Sequence, residues 1–377
     1  MKNRVCLLHP FSAQAIGLKE SDLFYSHSKP HENALSYLSN LGYFVNITYF
    51  TGNPWPYTKT VNGIQKQFFP LTSPLFNRHR WRKQGSHFHY IYTIFFAPDL
   101  TIINMSGHGS PYIFKLGHLL NKKGKAYVAM IGGMNMSVHQ QSVTYYKNAF
   151  CIVVHTKVQK RALQQLDDFK NLDIRVIPLG VDTNMFKPSN IKPKSFELLY
   201  VGRVTRLKQI EKAIEALDYI KNSKGLDCHL TILGPKSDAL YYQELQELVL
   251  VKHLDNCVTF KDAIDQQDLI PYYQKAHLLL LPSKHESFGM VMVEAMACGT
   301  PVAALKGSGG GDEIIADGFN GVLSNADDYA KTVTNTLTSG LLQELSLQAR
   351  SDAISHWSLE YTNKCFRSLV ESVFLRA

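Results

Sequence analysis

Residues 285–315 read HESFGMVMVEAMACGTPVAALKGSGGGDEII, and the order of signals along that stretch decides the fold. Between Gly289 and Cys298 nearly every residue is apolar, the composition of a helix buried on all sides. Glu294 interrupts it. A carboxylate without a partner costs several kcal/mol to desolvate, so something polar must face Glu294. Glu286 stands eight residues earlier, just ahead of the helix, with Ser287 as the expected N-cap. Eight helical steps of about 100° return a side chain to within about 80° of its first direction, so both carboxylates are expected to line one cleft. Phe288 and Gly289 offer backbone N–H groups at the helix start, a place that favours an anion. Gly299 and Pro301 stop the helix. A strand over 302–305 then runs into Gly307, Gly309, Gly310 and Gly311 and a further helix, where a second anion cradle is expected.

Upstream of this stretch the same rhythm repeats. Strands are expected over 197–201, 229–233, 257–260 and 277–281, and downstream over 321–323, separated by helical patterns such as 209–220. Regular β/α alternation argues for a parallel sheet covered on both faces. Gly202 and Gly234 each follow a strand, where the backbone has room to approach a ligand. GRVTRLKQ, residues 202–209, places Arg203 and Lys208 about a strand-to-helix turn. Cations at a helix start oppose the macrodipole, so the placement calls for an anion, and a diphosphate suits an Arg fork plus a mobile Lys.

The first half opens with a strand over 5–8, a helix over 32–41 ending at Gly42 and a strand over 43–49, a doubly wound α/β beginning. A strand over 100–105 runs into SGHGSP and leaves His108 in a small-residue loop at a strand end, where ligand sites of open α/β sheets lie. A helix over 112–120, a strand over 126–131 ending in GGMNMS, a strand over 151–155 and a helix over 157–166 follow. VIPLGVDTNMFKP, residues 176–188, is a strand, a turn and a Pro-terminated linker, the pattern of a domain boundary. Residues 53–90 are expected to be irregular, with four prolines and the cluster RHRWRK. Arg78, Arg80, Trp81, Arg82 and Lys83 suit an anionic membrane surface. No nucleic-acid motif accompanies that charge, so nucleic acid is excluded as a partner. The tail, 356–377, is a helix with Tyr361, Cys365, Leu369 and Phe374 at helical spacing and Trp357 as a packing anchor.

The 377 residues, 45% hydrophobic and 19% charged, suggest two globular domains. Cys6, Cys151, Cys228, Cys257, Cys298 and Cys365 show no metal-type spacing and read as reduced core residues. The basic start carries too short an apolar run for a signal peptide, and no stretch approaches the ~18–20 apolar residues of a membrane span. The expected place is the cytoplasm, peripheral on the inner face of the cell membrane. The first 190 residues hold 21 Lys and Arg against 8 acids, a balance of +13, and the rest hold 19 against 23, or −4.

PSKHESFGMVMVEAMACGTPVAA resembles the retaining nucleotide-sugar glycosyltransferases of family 4 almost position by position, with Glu286 and Glu294 at its two acidic positions. The resemblance implies the GT-B fold: two Rossmann-like doubly wound parallel-sheet domains facing across a cleft. Domains 1–190, the acceptor side, and 191–355, the nucleotide-sugar side, are expected, with 356–377 crossing back to the first. It further implies transfer of a sugar from a nucleotide diphosphate donor to a glycan or glycolipid acceptor. Arg203 and Lys208 would hold the diphosphate, while Glu286, Ser287 and the backbone of Gly202, Phe288, Gly289 and Met290 hold the donor. Glu294 would meet the ribose and His108 would face the sugar. No cofactor is expected. No metal is expected either, because Asp-x-Asp is absent and cations replace the ion. The chain departs from the family pattern twice: the loop after the first strand has only Gly17, and Gly132 and Gly133 stand where many members carry a second histidine. An epimerase or phosphorylase of the same fold, or a non-catalytic nucleotide-sugar-binding subunit, are the alternatives.

Overall fold

The computed structural model describes residues 3–25, 29–73, 79–104, 107, 109–133, 138–189 and 192–375. The chain forms two compact units, Met1–Leu179 with Leu359–Ala377, and Gly180–Ser358.

In the first unit the strands are β1 (Arg4–His9), β2 (Phe44–Thr51), β3 (Tyr57–Val61), β4 (Ile64–Pro70), β5 (Leu100–Ile103), β6 (Ala126–Met130), β7 (Cys151–Val154) and β8 (Ile174–Val176). Their order across the sheet is β3-β4-β2-β1-β5-β6-β7-β8, parallel except for β3 against β4. β5 and β7 are buried along their whole length, which is why they read as unbroken apolar runs. Part of the segment expected to be irregular is a hairpin. Asn62 and Gly63 both take positive φ, 49° and 77°, the Asn-Gly turn that joins two antiparallel strands with the right twist. Beyond it, Ser86 caps the helix His87–Phe96, its hydroxyl accepting from the His89 N–H at 3.1 Å.

The final helix, Leu359–Leu375, belongs to this unit. Phe366, Leu369, Val370 and Val373 pack into the core formed by Val5, Leu35 and Leu38. The buried stripe is therefore offset by one residue from the expected Tyr361, Cys365 and Phe374, which lie exposed or at its margin, because the helix presents Thr362 inward to the Pro178 carbonyl at 2.9 Å.

The second unit holds β9 (Phe196–Val201), β10 (Cys228–Leu233), β11 (Val258–Lys261), β12 (Leu278–Leu281), β13 (Val302–Leu305) and β14 (Gly321–Ser324). Its order is β11-β10-β9-β12-β13-β14, all parallel. The chain winds outward from β9 to one edge, returns, and winds outward from β12 to the other. Loops leaving β9 and β12 thus diverge, and the crevice at their carboxyl ends is where such sheets bind ligands. The unit opens and closes side by side: Val181 N–H donates to the Trp357 carbonyl at 2.9 Å. Residues 181–188 therefore pack with this unit, and Phe186 and Thr183 carbonyls accept from Arg350.

Candidate functional site

The crevice between β9 and β12 collects the charged residues that the sequence singles out. After β9 the chain passes Gly202 and Arg203 and makes a short 3-10 turn, Arg206–Lys208, closed by Gln209 at φ 48°. After β12 it passes Ser283 and Glu286 before entering the helix Met290–Ala297. A backbone hydrogen bond from Lys284 N–H to the Leu207 carbonyl, 3.0 Å, ties the two loops together. Lys208 and Glu286 form an ion pair across them, with side chains only 16% and 11% exposed.

Three cations share the β9 loop and meet different fates. Arg206 is committed outward, paired with Glu244 and lying over the Tyr241 ring. Arg203 is exposed and forms no ion pair among the described residues. Lys208 reaches inward.

Glu294 is 4% exposed, and its required polar partners are protein groups. Gln266 Nε2 donates to one carboxylate oxygen at 2.6 Å and Tyr273 Oη to the other at 2.8 Å. Burial, then the charge of Glu294, push the Tyr273 hydroxyl well above its ordinary range, so it stays protonated and donates.

The helix start differs from expectation in its cap. Gly289, at φ 88°, occupies the N-cap position, and Ser287 is exposed two residues before it. A left-handed cap suits glycine, and it turns the chain so that Phe288 buries its ring against Trp357, centroids 5.5 Å apart. The N–H groups of Phe288 and Gly289 have no acceptor among the described residues. Met290 is the first residue of the helix.

The glycine-rich turn 307–311 is not the open cradle that its composition suggests. Asp312 folds back and accepts from the N–H groups of Gly307 and Gly309, both at 2.9 Å. The Gly310 N–H donates to the Glu286 carbonyl at 2.9 Å, and Glu286 N–H to the Ser308 carbonyl at 2.7 Å. Here glycine serves close packing of backbone on backbone, since a Cβ on Gly310 would stand 2.2 Å from the Phe288 oxygen. Gly202 behaves alike: a Cβ on Gly234 would meet its carbonyl oxygen at 2.0 Å, so these two strand-end glycines approach one another.

His108, expected to face the sugar, lies outside the described residues, as does Arg78. At the corresponding switch point of the first unit, between β1 and β5, His9 Nδ1 lies 3.1 Å from Asn104 Nδ2. His31 and His155, also buried, place their rings 5.9 Å apart nearby. Sequence reading named none of these three histidines, since none stands in a motif and only the fold brings them together. Burial lowers the pKa of His155, and its Nδ1 faces the Ile177 carbonyl at 2.9 Å, as a neutral core histidine would. Gln266 and Tyr273 were missed as well, for want of any local signal.

Residues 181–353, nearly the whole second unit, match the family described as glycosyl transferases group 1. Among curated relatives, the D-inositol 3-phosphate glycosyltransferase of Arthrobacter sp. (strain FB24) is 35% identical over 167 residues, which cover 41% of this chain and 38% of that protein. The chain spans about two-fifths of the length of the first such relatives it matches. Sucrose-phosphate synthase from Thermosynechococcus elongatus has the same fold, with a TM-score of 0.76 at 19% identity over 100% of both chains. So does Anabaena HepE, solved in complex with UDP, with a TM-score of 0.73 at 17% identity over 99% of this chain and 100% of that one. The α/β GT-B fold with two parallel-strand sheets is the fold of this protein.

Proposed function

We propose that the chain is a retaining glycosyltransferase of family 4 that moves a sugar from a nucleotide diphosphate sugar to a hydroxyl acceptor without a metal ion. The observation that carries this reading is the Lys208–Glu286 pair at the β9/β12 crevice, beside an Arg203 that forms no ion pair, and two backbone N–H groups that meet no acceptor, among the described residues. A diphosphate is the ligand that such a set of donors lacks. The fold neighbour HepE, captured with UDP, supports a nucleotide diphosphate.

In this reading Arg203 and Lys208 take up the charge that builds on the departing diphosphate, the largest electrostatic task of the reaction. Glu286, Ser287 and the backbone from Phe288 to Met290 hold the sugar, and Glu294 accepts from the ribose hydroxyls. His108 is assigned to the sugar by the family resemblance alone. The bond from the anomeric carbon to the diphosphate oxygen breaks while the acceptor oxygen bonds to that carbon on the same face. The acceptor proton leaves with the diphosphate oxygen. The acceptor is a glycan or glycolipid of the cell envelope, met at the inner face of the membrane, because the +13 balance of the first 190 residues suits an anionic surface.

Thermal shift with UDP-, GDP- and ADP-sugars tests donor binding. One of them should raise the melting temperature, since a ligand of the folded state must stabilise it; no shift with any sugar nucleotide overturns the reading. Turnover with that donor should survive a chelator, and loss restored by magnesium or manganese overturns metal independence.

A further inference from the structure

The helix His87–Phe96, HFHYIYTIFF, carries no charged residue and is only half used by the fold. His89 and Thr93 turn inward onto the sheet. Phe88, Ile91, Phe95 and Phe96 are exposed, Phe95 by 72%; Phe88, Ile91 and Phe95 follow one another at helical spacing, and Phe96 widens the patch beside them. Trp55, in the turn between β2 and β3, is exposed to the same degree, and beside it Pro56, Tyr57, Phe88, Ile91, Phe95 and Phe96 line a shallow groove of about 370 Å³. Bare aromatic clusters of this kind mark a surface meant to be covered.

Charge selects what covers it. Arg80, Arg82 and Lys83 are exposed within the seven residues that precede the helix. Residues 33–166 hold fourteen Lys and Arg against one acid, Asp99, and three of the cations are paired: Lys125 with Asp99, the buried Lys66 with Glu32 and Lys147 with Asp168. A second copy would bring like charges together across the contact. An anionic lipid surface instead offers charge for the cations and an apolar boundary for the rings, with the helix lying in the interface plane. Among the described residues, no helix is long and apolar enough to cross a membrane.

We propose that the first unit docks on anionic lipid bilayers by inserting Phe88, Ile91, Phe95, Phe96 and Trp55 into the headgroup boundary while Arg80, Arg82 and Lys83 bind the headgroups. This rests on the membrane-borne acceptor proposed above and names the element that meets the membrane. The test is co-sedimentation of the full chain with vesicles of equimolar phosphatidylglycerol and phosphatidylcholine, and with phosphatidylcholine alone. Wild type should partition onto the anionic vesicles. The double variant Phe95→Ser/Phe96→Ser should partition on the order of tenfold less while staying folded, since Phe95 is 72% exposed and Phe96, also exposed, packs on Tyr92. Arg80→Glu/Arg82→Glu should abolish the preference for anionic lipid. Wild type that stays in the supernatant with both vesicles overturns the proposal, as do variants that bind like wild type. A wild-type dimer that the Phe95→Ser/Phe96→Ser change dissociates, seen by sedimentation equilibrium, also overturns it, a second copy then being the occupant. The thermal shift with sugar nucleotide is read on the same variants, so failure of docking and failure of the transferase reading appear in separate measurements.

Discussion

Each unit withdraws a lysine–glutamate pair from water, and the two pairs differ in what else the ammonium touches. In the first unit Lys66, 0% exposed, donates to Glu32 at 2.6 Å and to the carbonyls of Phe24 and Leu23 at 2.7 and 3.2 Å. An ammonium has three N–H donors, and all three are used. In the second unit Lys208 donates to Glu286 and to no other acceptor among the described residues. Desolvating a charge without completing its hydrogen bonds is costly, so a half-satisfied pair is retained for something beyond stability. Lys66 ties the helices Glu20–Tyr25 and Lys29–Asn40 to β4. Lys208 has donors left for an anion, at the strand ends where one would arrive.

The largest effect that sharpens this contrast is expected at Glu286. Glu286→Gln should lower turnover by about 10²–10³-fold, the usual cost of removing one preorganised charged contact. It should leave donor affinity intact or higher, because it releases Lys208 from its competing partner. Lys208→Ala should weaken donor binding as well as turnover. Wild-type turnover in Glu286→Gln, or an affinity loss equal to that of Lys208→Ala, would break the comparison.

Next in size is the structural pair. Lys66→Ala leaves Glu32 without its partner in a site that is 12% exposed, and should cost about 3 kcal/mol by urea unfolding. Lys66→Met, which refills the volume without the charge, should cost less. Neither change should alter the melting-temperature rise on adding donor, and loss of that rise in a folded Lys66→Met variant would show that the two pairs are not separable in role.

Legibility follows the same division. The second unit was readable because each strand is a compact apolar run, Leu278–Leu281 being four leucines, and the strand 302–305 was placed to the residue. The hairpin of the first unit was passed over although Asn62-Gly63 announces it, because YTKTV and IQKQFFP are half polar and prolines flank both strands. That Glu294 needs a polar partner follows from its neighbours, but the partners lie 28 and 21 residues away and only the fold brings them in. The glycines of 307–311 announce a tight approach without saying to what. Asp312 filling its own turn, and Gly310 making room for the Phe288 carbonyl, are long-range facts that composition does not carry. Ser287 looked like a cap because serine is a good one, whereas Gly289 supplies a left-handed turn that serine adopts at a cost.

The smallest expected effect separates two arginines that the sequence presents as equals. RVTRLK places Arg203 and Arg206 in one loop, and either fits a diphosphate by composition. Arg206 already has Glu244 for a partner and the Tyr241 ring beneath it, in a pair whose side chains are more than half exposed. Exposed pairs of this kind contribute little, since solvent screens both charges whether or not they meet. Arg206→Ala should therefore change neither the melting temperature nor its rise on adding sugar nucleotide. Arg203→Ala, which removes a cation that forms no ion pair among the described residues, should diminish that rise and leave the ligand-free melting temperature alone. If the two substitutions act alike on donor binding, the unpaired state of Arg203 is not what marks it, and the inference from unfinished electrostatics to function fails at Lys208 too.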